Sequence, residues 1–141
     1  MAACGGDNNV NVWNLSCRNK PLVFKGHAAE VLSLEYSPNT TLLASGSKDT
    51  TIRVWTHTVD GKCKVIKGHH GPVRSLNFSF DGQYLLSGSD DKPLKVWDMF
   101  TLEFRASYTA HKNWVRSARF NPDASLIASG GEDKKLLLWD V

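Results

Sequence analysis

The sequence predicts an all-β chain of repeated four-stranded antiparallel sheets, and three observations carry that prediction. One phrase recurs with a period of 42 residues and no gaps: Trp13, Trp55, Trp97 and Trp139 keep that spacing, as do Asp7, Asp49, Asp91 and Asp133. The histidines His27, His69 and His111, the serines Ser45, Ser87 and Ser129, and the aromatic column Tyr36, Phe78 and Phe120 stay in phase with them. Within each period the apolar residues alternate as in a strand, and turn-forming tetrapeptides separate the alternating segments. Four short strands per 42 residues, linked by short turns, make one blade of a β-propeller.

The third copy shows the elements most clearly. VRSLNFS places Val73, Leu76 and Phe78 between polar neighbours, QYLLSGS is apolar and ends in small residues, and PLKVW sets Leu94 and Val96 around Lys95. A weaker segment, Lys64 to Gly68, precedes the next Gly-His and supplies the fourth strand. SPNT, SFDG and NPDA turn the chain after the first strand of each copy, and SKDT, SDDK and GEDK after the second. In order, the sequence divides into a partial blade over 1–26, blades over 27–68 and 69–110, and a partial blade over 111–141. Met1 aligns with Leu43, Leu85 and Ile127 inside a second strand, so the first blade lacks strand one. Val141 falls just past a third strand, so the last lacks strand four. The expectation is about 3.5 blades and 14 strands in an open, partial propeller. No apolar pattern of helical period survives beyond one turn.

Composition narrows the function. The chain has 141 residues, 41% hydrophobic and 22% charged, with a formal net charge of +3. Its basic residues are spread through every copy, without the clustered Lys/Arg and interleaved aromatics of a nucleic-acid surface. No apolar run reaches the roughly 20 residues of a membrane span. Cys4, Cys17 and Cys63 are odd in number, far apart and outside any CxxC, which points to free thiols in a reducing compartment.

The phased Gly-His, Asp and Trp-Asp residues resemble the WD-repeat family along essentially the whole chain. The resemblance implies a hydrogen-bonded chain of histidine, serine, aspartate and tryptophan in each blade. By position these are His27, Ser45, Asp49 and Trp55; His69, Ser87, Asp91 and Trp97; and His111, Ser129, Asp133 and Trp139. Such a chain satisfies polar groups that a packed blade has to bury. The pattern has departures: Asn14 follows Trp13, Thr56 follows Trp55, and Ala110 replaces the glycine before His111. Ala3 stands where serine is expected, so the first network would be incomplete, and Pro93 begins a third strand. The VRS, DGQ, SDDK and H-NWVR phrases of the last two copies, with the Arg53 to His69 junction, look like the proteome-of-centriole WD-repeat proteins. NWVR is shared with lissencephaly-type dynein regulators, and katanin's regulatory subunit has similar repeats.

Ser, His and Asp together are the composition of a hydrolase triad, yet their recurrence three times at one period marks them as architecture. No catalytic residue, metal or cofactor is expected; His57 and His70 have no Cys or His at ligand spacing. Recognition is expected on the face formed by the strand-four-to-one and strand-two-to-three turns. The columns before the turn aspartate (Lys48, Asp90, Glu132) and before the periodic valine (Glu30, Pro72, Trp114) are its candidate contacts. Trp114 is the foremost, and Lys112 stands beside it. Lys48, Arg74, Lys112 and Arg116 suggest a basic sector there.

These readings predict a non-enzymatic protein-interaction scaffold. By resemblance it is a cytoplasmic, cytoskeletal component of centrioles, basal bodies or cilia that builds or stabilises microtubule structures, with tubulin or neighbouring structural proteins as partners. The alternative is an adaptor or substrate-receptor subunit that recognises a peptide on the propeller's top face. Three and a half blades do not close a ring of seven. The expected explanations are, in order, a fragment of a longer protein, completion by another chain, and self-assembly.

Overall fold

The computed structural model describes residues 2–4 as backbone and 7–14, 20–56 and 62–141 in full; Met1, Cys17 and His57 lie outside the described residues. The described residues form strands and turns only. A first sheet contains β1 (Ala2–Cys4), β2 (Asn9–Trp13) and β3 (Leu22–Lys25). The second contains β4 (Val31–Tyr36), β5 (Leu42–Ser47), β6 (Ile52–Thr56) and β7 (Cys63–Ile66). The third contains β8 (Val73–Phe78), β9 (Tyr84–Ser89), β10 (Leu94–Asp98) and β11 (Phe104–Tyr108), and the last β12 (Val115–Phe120), β13 (Leu126–Gly131) and β14 (Leu136–Asp140). Each is an antiparallel meander, so the open, partial propeller expected from the period is the architecture found. Pro93 is corrected by one residue: β10 begins at Leu94, and the proline precedes it in the turn, outside the ladder.

The alternation within strands sends one set of side chains toward the next blade. Val10, Val12 and Phe24 of the first sheet pack with Val31, Leu43 and Trp55 of the second. Ile52, Val54 and Ile66 meet Val73, Leu85 and Trp97, and Leu86, Leu94 and Val96 meet Val115, Ala118 and Ile127. The hydrophobic core therefore lies between sheets. Each buried Val, Leu or Ile contributes roughly 1.5–3 kcal/mol relative to exposure. Polar links join neighbouring first strands as well: Ser33 Oγ donates to the Val73 carbonyl at 3.3 Å, and Ala118 N–H donates to Ser75 Oγ at 3.0 Å.

The first strands of the second, third and last sheets carry a bulge at the same place. Val31 opposes Ser47 and Ser33 opposes Gly46, leaving Leu32 as the extra residue; Arg74 and Arg116 are the extra residues of β8 and β12. A bulge re-aims the side chain it carries.

Candidate functional site on the turn face

The turn after each second strand reaches back to the loop before the first. Lys48 N–H donates to the Glu30 carbonyl at 2.9 Å, Asp90 N–H to Pro72 at 3.0 Å and Glu132 N–H to Trp114 at 2.8 Å. The two candidate columns are thus joined, pair by pair, on one face.

Beneath them lies the buried network. His27 Nδ1 is 2.8 Å from Asp49, His27 Nε2 is 2.8 Å from Ser45 Oγ, and Trp55 Nε1–H donates to the same oxygen at 2.8 Å. His69, Ser87, Asp91 and Trp97 repeat this geometry at 2.7–3.0 Å, as do His111, Ser129, Asp133 and Trp139 at 2.8–3.0 Å. One proton arrangement uses every partner: a neutral imidazole donates from Nδ1 to the aspartate and accepts the serine O–H at Nε2. Burial pushes the His27 pKa below its ordinary 6.5, only partly opposed by Asp49, which agrees with the neutral ring. For Asp49, burial works toward a raised pKa, but the Thr51 hydroxyl and amide, the Ala28 amide and His27 outweigh it and hold the pKa at about 2. The serine hydroxyls are sealed from solvent. Gly68 must lack a side chain, because a Cβ there would stand 2.5 Å from the Trp97 ring.

Above the network the three blades differ. Lys48 and Glu30 form an open ion pair at 3.5 Å, both more than half exposed. In the next blade Arg74 takes the acid instead, its Nε and Nη2 donating to Asp90 at 2.8–3.0 Å. The Asp90 carboxylate, only 8% exposed, thereby positions the arginine. In the last blade Arg116 Nε donates to Glu132 at 2.8 Å. Both guanidinium groups lie over the Trp114 ring, with Cζ 5.0 Å (Arg116) and 6.0 Å (Arg74) from its centroid. Arg74 reaches it from the neighbouring blade. Trp114 remains 41% exposed, and the Lys112 side chain stands in solvent nearby while its amide donates to Asp133 at 3.0 Å. The basic sector is revised accordingly: Lys48, Arg74 and Arg116 each face an acid of their own blade, and two of these pairs, Arg74–Asp90 and Arg116–Glu132, flank the indole. Arg74 and Arg116, expected only as members of that basic sector, are the two cations set over the indole. Their signal in the sequence was the position after the periodic valine, which holds Leu32 in the earlier copy.

The WD domain, G-beta repeat, family matches the chain at residues 18–56, 61–98 and 102–140. No curated protein matches it. Each matched segment begins at the outer strand of one sheet and ends at the third strand of the next, β3 to β6, β7 to β10 and β11 to β14. The sequence repeat thus straddles two blades and fastens them covalently. With most of its length matched, the chain belongs to the WD-repeat family.

Proposed function

We propose that the chain is a non-enzymatic protein-interaction module whose recognition patch is centred on Trp114. WD-repeat proteins are generally interaction scaffolds. One observation carries the reading to this site: a large indole is left 41% exposed while two arginines, themselves held by carboxylates, fix its position. Trp and Arg dominate interface hot spots, and a side chain already immobilised loses little entropy on binding. The sealed serine hydroxyls support the non-enzymatic part, since a nucleophile has to reach its substrate.

The test is quantitative affinity capture with the native chain and Trp114→Ala. Loss of about 2 kcal/mol or more, roughly thirtyfold, is expected for at least one discrete partner, with the melting temperature unchanged. An unchanged set of captured proteins would sink the proposal.

The cytoskeletal placement, at centrioles, basal bodies or cilia with tubulin or their structural proteins as partners, is supported by the VRS, DGQ, SDDK and HKNWVR phrases. A fluorescent fusion should concentrate at basal bodies. A diffuse cytosolic or nuclear pattern in cells that possess them counts against it.

A further inference from the structure

The packing between the second and third sheets is incomplete on the end of the molecule opposite Trp114. A cavity of about 560 Å³ opens there, lined by Leu42, Val54, Met99 and Leu102 and edged by Thr56, Lys62 and Lys64. Its volume lies within the range of small-molecule sites, as does its apolar wall with a few polar groups at one side. The next blade interface explains why space remains. Forty-two residues after Leu42 stands Tyr84, which packs onto the third core cluster and is covered by Arg105, whose Cζ is 4.9 Å from the ring centroid. There Val96 opposes the small Ala106, whereas Val54 opposes Lys64. A leucine where the neighbour has a tyrosine leaves the wall open, and a lysine where the neighbour has an alanine brings charge to its edge.

The charges around the cavity are not symmetric. Lys62 and Lys64 are exposed and form no ion pair among the described residues. At the other end Asp81 and Asp98 line an adjoining hollow that shares Leu42 and Met99. One oxygen of each is held by its own turn: Ser79 Oγ and Gln83 N–H donate to Asp81 Oδ1 at 2.6 and 3.0 Å, and Phe100 and Thr101 N–H to Asp98 Oδ1 at 2.8 and 3.0 Å. An anion is therefore attracted at the β7 end and repelled at the other. We infer that this cavity binds a small amphiphilic carboxylate, its acidic group between Lys62 and Lys64 and its apolar body against Val54, Leu42, Met99 and Leu102.

Titration calorimetry with decanoate, below its micellar concentration and with neutral decanol as the matched probe, tests this. Decanoate is expected to bind saturably, one per chain. Lys62→Met with Lys64→Met should weaken it about tenfold and leave decanol unchanged. Leu42→Tyr, which imports the neighbouring blade's residue, should abolish both. Thr56→Phe closes the same space from an exposed position and serves if Leu42→Tyr lowers the melting temperature. Absence of saturable decanoate binding, binding that survives a filled cavity, or equal weakening of decanol by the lysine changes would overturn the inference. The Trp114 patch plays no part in any of these outcomes.

Discussion

Ser45 accepts an indole N–H and gives its own proton to His27, so one hydroxyl holds a strand-three ring, a loop imidazole and, through it, the turn aspartate. This makes stability depend on pH in two windows. His27 has a lowered pKa when folded, so below its ordinary 6.5 the unfolded chain takes up the proton first and stability falls. The depressed pKa of Asp49 adds stability that is complete above about 3.8 and disappears as pH falls toward about 2. Urea midpoints measured at pH 7.5, 5.5 and 3 should therefore decline in two stages. His27→Asn should flatten the first stage and leave a stable but weakened fold at pH 7.5. An undiminished decline between pH 7.5 and 5.5 in that variant would assign the first stage to other groups.

At the scale of strands, the alternation in VRSLNFS and PLKVW was enough to place β8 and β10, because a face buried against a neighbouring blade cannot slip register by one residue without turning its apolar side to water. The tetrad positions were legible for the same reason: a network repeated in three blades imposes one period on their copies. The bulge was not. An extra residue in β4, β8 and β12 leaves the 42-residue spacing intact, so nothing in the phase announces that Arg74 and Arg116 are re-aimed over Trp114. The cavity was equally hidden: the 42-residue phase sets Leu42 beside Tyr84 and Lys64 beside Ala106, but only the register discloses that Lys64 lies opposite Val54 as Ala106 lies opposite Val96. The expected basic sector failed on a related point. Arg74 and Arg116 follow the periodic valine, and only the folded turns show that their guanidinium groups reach Asp90 and Glu132, 16 residues further along the chain.

At the scale of the whole molecule, the outer face of the last sheet is uncovered among the described residues. Ile52 and Leu94 are 1% and 0% exposed, yet their counterpart Leu136 is 75% exposed; Val54 and Val96 are 5% and 2% exposed, and Leu138 is 68% exposed. β14 also pairs only with β13 among the described residues, so its outer edge offers unpaired backbone donors and acceptors. Covering these two leucines would contribute roughly 2–4 kcal/mol from apolar area. Association costs about 4–15 kcal/mol in lost freedom, so the leucines alone do not give an obligate dimer. Edge hydrogen bonds between two copies of β14 would supply part of the difference, and the expected outcome is a weak, concentration-dependent association of this chain through that face. Sedimentation velocity across a hundredfold concentration range should show the average mass rising above 15.6 kDa. Leu136→Lys with Leu138→Glu should return it to the monomer value while preserving the melting profile, because neither side chain is buried in the monomer. A single 15.6 kDa species at every concentration of the unaltered chain would show that β14 does not pair with a second copy.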